Sequence, residues 1–285
     1  MGRSDFFWNE FVYGGHLGSI GASAIVLTTM VLLKIPVRWE FVLLAYLITQ
    51  CLYNYNHIKE LNIDSLSNSP RVTHLKSYGG FLAFIPGLYG SMFFALLIYF
   101  GNKTSILFGG LILVLGLFFT IKGKKLSKLI PGFKSFYTAL TWSLMVIFTA
   151  IYCSYPTDLS VLLFFIFVFL RILINVSFSD IKDLETDRKE GLITLVMIFK
   201  DKQQSLNFLH ILNVLSFTPL LLGVFFGVLN TYVLFLLLSF IISFYYIQKA
   251  KSKDADITSL TSILADGELY YWPFFIFIGL LLLGY

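Results

Sequence analysis

Charge is what this sequence lacks. Only 13% of its 285 residues are Asp, Glu, Lys or Arg, about half the share of an ordinary soluble domain. With 57% hydrophobic residues and a mean hydropathy of +0.81, too little polar surface is left to keep the chain in water, and a soluble globular fold is excluded. Strand-like alternation is also missing. Runs such as Tyr232–Tyr246 do not change polarity at every second residue, which excludes a transmembrane β-barrel. Cysteine is scarce: Cys51 and Cys153 have no partner at zinc or redox spacing and read as small apolar residues inside helices. No solvated basic domain is present, so the net charge of +5 does not describe a nucleic-acid binder.

What the chain has instead is apolar length. About 20 residues of helix cross about 30 Å of hydrocarbon, and the sequence supplies such runs repeatedly. The pattern predicts an all-α integral membrane protein of nine transmembrane helices: Gly18–Leu33, Trp39–Asn56, Gly80–Tyr99, Ser105–Ile121, Phe136–Cys153, Ser160–Phe178, Leu206–Gly227, Thr231–Ile247 and Leu269–Leu283. The first has only Arg3 as a basic residue ahead of it and acidic Asp5 and Glu10 beside it, so it reads as a retained helix rather than a signal peptide. No linker interrupts the pattern, and residues 1–285 read as a single membrane domain.

Basic residues set the orientation. With nine helices, seventeen of the 21 Lys and Arg residues fall on the face shared by the N-terminus and the loops after helices 2, 4, 6 and 8. Lys34, Arg38 and Lys103 lie on the other face, and Arg171 lies inside a helix. Positive charge marks the cytoplasmic side, which puts the N-terminus and these loops in the cytoplasm and the C-terminus opposite. Lys249, Lys251 and Lys253 read as orienting charges that meet anionic membrane lipids. His16, His57, His74 and His210 are scattered and read as polar groups between helices.

Twelve of the 16 acidic residues lie in the loops after helices 2, 4, 6 and 8 or at the adjoining helix ends. Asn56, Glu60 and Asp64 share one face of a helix continuing out of helix 2, at spacing i, i+4, i+8. Asp180, Asp183 and Asp187 form a second stripe at the exit of helix 6, extended into the membrane by Asn175 and Arg171. A shift of 123 residues carries Glu60 onto Asp183, Asp64 onto Asp187, and the basic loop Lys122–Lys134 onto Tyr245–Ile257. This spacing suggests two four-helix pseudo-repeats, roughly 39–153 and 160–283, around a central cavity. Wet, charged helix ends account for Glu185, Lys189 and Glu190 but poorly for two matching carboxylate stripes.

Two such stripes brought together would repel unless cations were bound. Carboxylates with waters suit Mg²⁺, which commonly binds through one or two carboxylates together with substrate phosphates. Arg71, Lys122, Lys128, Lys134 and Arg188 are on the correct face to meet the remaining charge of a diphosphate. An apolar chain attached to that diphosphate could lie between the helices. Those features fit a polyprenyl diphosphate.

The residues resemble the UbiA-type intramembrane prenyltransferases. Asn56-x3-Glu60-x3-Asp64 is similar to the family's first motif, with Arg71 at the place of its following arginine. Asp183-x3-Asp187-Arg188-x2-Gly191-x2-Thr194-Leu195 resembles the second, and Lys128-Leu129-Ile130-Pro131-Gly132-Phe133-Lys134 resembles the family's basic loop. Asp266-Gly267-Glu268 matches a common feature ahead of the last helix. Glu60 replaces the usual first aspartate, His57 stands where many relatives have another, Val196 replaces a frequent proline, and Phe119-Thr120 occupies the region of a usual tyrosine.

The resemblance implies transfer of a prenyl chain from a polyprenyl diphosphate to a lipophilic acceptor in the bilayer. It implies Mg²⁺ on Glu60, Asp64, Asp183 and Asp187, with Asp180 a further ligand or a support, and Asn56 orienting the first cluster. Asn56, Arg71, Lys122, Lys128, Lys134 and Arg188 would meet the diphosphate. Arg171, Asn175 and Asp266 are candidate cavity residues. Two other classes stay open: a transporter, whose polar groups should lie deep in several helices, and a phosphatidyl-alcohol transferase, whose Asp-Gly and Ala-Arg signature is missing beside these acids.

Overall fold

The computed structural model describes residues 3–67, 69–252 and 254–284, without the side chains of 3–6, 62–67, 69, 124 and 262. Among the described residues there is no strand. Helices α1 (Arg3–Tyr13) and α2 (His16–Leu32) meet at a 61° bend. The bend needs glycine: Gly15 has φ +83°, and a Cβ on Gly14 would come within 2.5 Å of the Glu10 carbonyl oxygen. Helix α3 (Trp39–Ser67) has 29 residues and is therefore about 43 Å long, well beyond the hydrocarbon thickness. Its last turns, carrying Glu60, project past the apolar layer.

After α4 (Ser69–Lys76), a 3₁₀ stretch, Gly79–Phe84, leads into α5 (Ile85–Phe100). Helix α6 (Lys103–Phe118) begins on an Asn102 cap, whose side chain accepts from Ser105 N at 2.8 Å. It widens into one π-turn, Phe119–Gly123, before α7 (Lys124–Ser127). Helices α8 (Phe133–Tyr152) and α9 (Leu159–Lys182) follow, the latter capped by Asp158, and then α10 (Leu184–Glu190). Helices α11 (Lys202–Leu215) and α12 (Thr218–Phe225) occupy the place of one expected helix. The break has a local cause: Pro219 has no N–H for the Leu215 carbonyl, which accepts the Thr218 hydroxyl at 2.8 Å instead. A 3₁₀ stretch, Thr231–Leu237, precedes α13 (Leu238–Lys249). Then α14 (Ile257–Ser259) and a π-turn, Leu260–Ala265, precede α15 (Glu268–Leu283).

All nine expected segments are helical, but they do not all count as apolar spans. Among the described residues seven helices are long and apolar enough to cross a membrane, or up to eight if the bent α1–α2 pair is one span. Helix α3 is not among them, because Glu40, Gln50, Asn54 and Asn56 lower its apolarity; Gln50 and Asn54 are buried. No more than half of any of the seven spans is covered by protein. The uncovered faces carry Ile98, Leu107, Val114, Phe225 and Leu282, the polarity expected where the solvent is lipid.

Neighbour contacts close a ring. Helix α2 packs on α3, α3 on α5, α5 on α6, α6 on α8 and α8 on α9. Helix α9 packs on α11 and α12, α11 on α13, and α15 on both the Thr231–Leu237 stretch and α2. Helix α2 also touches α8 across the ring. The ring brings the exits of α3 and α9 and the start of α15 toward one pocket.

Candidate active site at the charged helix ends

The second acidic motif does not stay on one straight helix. Helix α9 stops at Lys182, Asp183 serves as the joint, and α10 restarts at Leu184. As a result Asp180 and Asp187 converge on one ammonium, with Asp183 at the joint. The Lys134 ammonium, at the first turn of α8, sits between them, 2.9 Å from Asp180 Oδ1 and 3.0 Å from Asp187 Oδ2. Ser135 Oγ donates to the other Asp180 oxygen at 2.8 Å. Asp180 is 2% exposed and Asp187 4%, so each carboxylate depends on these partners. Burial pushes Asp187 up to about 6, with Lys134 opposing and Asp180 and Asp183 reinforcing the rise. Asp183 is half-buried, with Lys182 Nζ 3.8 Å away.

The basic loop and the tail of this motif form one paired structure. Gly191, with φ +72°, closes α10 so that Leu192 N donates to Asp187 O at 2.9 Å. The chain then extends, and Ile193 N donates to Ser127 O at 2.9 Å while Ile193 O accepts from Gly132 N at 2.8 Å. Gly132, with φ +73°, turns the loop back into α8 and presents Lys134. The spacing from Asp187 to Gly191 and from Pro131 to Lys134 is therefore that of a clamp holding an ammonium on two carboxylates.

The first motif is placed in part. Asn56 Oδ1 accepts from Thr120 Oγ1 at 3.1 Å, joining α3 to the π-turn of α6. Glu60 is half-buried on the same helix, and the Asp64 side chain lies outside the described residues. Lys122, Lys128 and Arg188 are exposed around the loop. Among the described residues no three His, Cys, Asp or Glu side chains converge in a metal-binding group. The donor set nevertheless suits Mg²⁺: Asp180 and Asp187 already converge on one positive charge, and carboxylate oxygens are the ligands this ion takes.

Beside these helix ends lies a pocket with about 910 Å³ of atom-free space, part of it open to solvent. Arg71, Asn175 and Asp266 line it, together with Tyr53, His57 and Lys182. Asn175 Nδ2 donates to Asp266 Oδ1 at 3.4 Å, tying α9 to the start of α15. Trp142 and Leu269 give it an apolar inner wall. Gly18 admits the Tyr53 ring, since a Cβ there would lie 2.5 Å from that ring. The lining combines the cations Arg71 and Lys182, the Asp266 carboxylate and apolar side chains.

Arg171 corrects the expectation of a cavity role. It does not line this pocket; its Nε donates to Glu268 Oε1 at 3.0 Å, and Nη2 reaches the same oxygen. Nη1 donates to Asn213 Oδ1 and, at 3.3 Å, to Ser216 Oγ, while the guanidinium stacks 5.1 Å from the Phe217 ring centre. A charge within the bilayer needs a counter-charge, and α15 supplies it. Glu268 was visible only as part of the Asp266-Gly267-Glu268 pattern, because a partner 97 residues away leaves no local signal. Tyr53 and His57 stand one helical turn apart on α3, ahead of Glu60, which was the available clue to them.

Fold and site together define a multi-pass intramembrane enzyme with its polar groups gathered at the helix ends. The sequence matches the UbiA prenyltransferase family over residues 17–265, and the chain belongs to that family: it is an intramembrane prenyltransferase. Comparison with curated proteins yields no match. Among solved structures, the fold is similar to that of a UbiA homolog from Aeropyrum pernix K1 without ligand, with TM-score 0.67 and 15% identity over 94% of this chain and 98% of that one. A UbiA homolog from Archaeoglobus fulgidus bound to GPP and Mg²⁺ gives TM-score 0.66 and 12% identity over 95% and 99%. A structure described for digeranylgeranylglyceryl phosphate synthase in membranes gives 0.61 and 16% over 96% and 98%.

Proposed function

We propose that this prenyltransferase moves a prenyl chain from a polyprenyl diphosphate to a lipophilic acceptor in the bilayer, with Mg²⁺ as cofactor. The supporting observation is the convergence of Asp180 and Asp187 on one cation beside a pocket that Arg71 and Lys182 help to line. The A. fulgidus homologs solved with GPP or DMAPP and Mg²⁺ lend the same reading weight through the shared fold.

In this reading Glu60, Asp64, Asp183 and Asp187 hold the metal, with Asp180 beside them. Bound there, Mg²⁺ would supply positive charge to the departing diphosphate. Arg71, Lys122, Lys128 and Arg188 bind phosphate oxygens, and Asn56 orients the first motif through Thr120. Lys134 holds the Asp180 and Asp187 carboxylates in position, then offers its own charge to the leaving group. Trp142, Ile172 and Leu269 exclude water from the allylic carbon. Residues 39–153 and 160–283 act as two four-helix halves that each contribute one acidic motif. The N-terminus and the charged loops face the cytoplasm, and the C-terminus lies opposite.

The test is mass spectrometry of membrane lipids from cells with the active protein and with an Asp64→Ala, Asp183→Ala double variant. A prenylated lipid present only with the active protein is expected. Identical lipid profiles would overturn the reading.

A further inference from the structure

A second cavity, with about 530 Å³ of atom-free space, part of it open to solvent, lies on the other side of the α1–α2 bend. Its polar lining is Glu10, Asn54, Tyr78 and Tyr89, and its apolar rim includes Phe81 and Leu88. None of these residues belongs to the acidic motifs.

Glu10 is the centre of a network whose proton positions can be worked out. Gln50 Nε2 can only donate, and it reaches His16 Nδ1 at 2.5 Å. The ring proton is therefore on Nε2, which donates to Glu10 Oε1 at 2.9 Å. His74 Nε2 donates to Glu10 Oε2 at 2.8 Å, and the Tyr78 hydroxyl donates to that same oxygen. Asn54 is 4% exposed, and its amide N–H groups go to the Gln50 carbonyl at 2.9 Å and to Gln50 Oε1 at 2.8 Å. That settles which side of the amide is oxygen. Among the described residues Oδ1 receives no donor, and Asn54 lines the cavity.

At Glu10 and Asn54 the floor therefore offers acceptors. A carboxylate has about four acceptor positions, and the three donors on Glu10 leave room for one more. A ligand that meets Glu10 and Asn54 has to bring hydrogen-bond donors, and the Glu10 charge repels a carboxylate or phosphate head. The rim is different: Phe81 is 59% exposed and Leu88 50%, on a span that faces lipid. The rim takes an apolar body from the bilayer. The two cavities also adjoin. Tyr13 and Tyr53 line the first pocket, and their chain neighbours Gly14 and Asn54 line the second.

We propose that this cavity holds the prenyl acceptor, and that the acceptor is an uncharged lipid with a hydroxyl, phenol or quinol head. The proposal rests on the prenyl-transfer reading above.

Full-length protein in nanodiscs is tested with radiolabelled 4-decylphenol, with 4-decylbenzoate as the charged counterpart, and separately with geranyl diphosphate plus Mg²⁺. The phenol should bind at least ten times more tightly than the benzoate. Glu10→Gln and Asn54→Leu should each weaken phenol binding about tenfold, leaving geranyl diphosphate binding unchanged. Leu88→Trp fills the rim without touching the network and should weaken the phenol equally, which covers the case of a misfolded polar variant. Phenol affinity unaltered by Glu10→Gln and Leu88→Trp, or a preference for the benzoate, would overturn the proposal. A wild-type protein that binds the phenol as described but not geranyl diphosphate would instead overturn the prenyl-transfer reading, leaving a lipid-phenol site.

Discussion

Arg171 and Glu268 show how single residues anchor this fold in lipid. Each is nearly sealed from solvent, at 2% and 4% exposure, so removing one leaves the other as an uncompensated buried charge. Arg171→Leu or Glu268→Leu is expected to destabilise the protein by about 3–5 kcal/mol, and the double substitution to recover most of that. Thermal unfolding of the three variants in nanodiscs checks it; effects that simply add would contradict the ion pair. Lys134 works on the same principle at the helix ends, where it joins Asp180 to Asp187. Lys134→Met should lower diphosphate release by about 10²-fold, with Lys134→Arg retaining more activity than Met. Of these residues the sequence singled out Asp180, Asp187, Lys134 and Arg171 by type and position. It was silent on who pairs with whom, because the partners lie 53 and 97 residues apart and no short pattern encodes such contacts. His16 and His74 read in sequence as polar groups between helices, with no partner specified. Their shared partner Glu10 becomes visible only once α1 and α4 are folded against each other.

At the scale of elements, helix positions were legible because apolar runs of membrane length have few alternative structures. Interruptions were less so. The break between α11 and α12 follows from Pro219 and a Thr218 hydroxyl that replaces its missing N–H, while the π-turn at Phe119–Gly123 has no comparable marker in sequence. The kink at Asp183 was missed because the spacing of Asp180, Asp183 and Asp187 also fits an unbroken helix. The loop clamp that results is testable. Gly132 has φ +73° and pairs with Ile193, so Gly132→Ala places a Cβ in the left-handed region at a cost of about 1–2 kcal/mol. It should also loosen the hold on Lys134. The expected outcome is a lower melting temperature together with reduced diphosphate release, whereas Gly80→Ala, where a Cβ would meet nothing within 4 Å, should leave both unchanged.

For the whole molecule, the ring of helices explains why so hydrophobic a chain carries so localised a chemistry. The ring closes through α2 and α15, turning polar helix ends toward one pocket and apolar flanks toward lipid. Orientation is a consequence to be measured: Lys125→Cys, in a background with Cys51 and Cys153 replaced by serine, should react with a membrane-impermeant maleimide only from the cytoplasmic side. The most direct measurement of the central claim is Mg²⁺-dependent diphosphate release in membranes supplied with a prenyl diphosphate and a lipophilic acceptor. Release is expected with the wild-type chain, to be abolished by chelation of Mg²⁺ and by Asp64→Ala with Asp183→Ala. Release that persists unchanged in the double variant, or without Mg²⁺, would contradict the account.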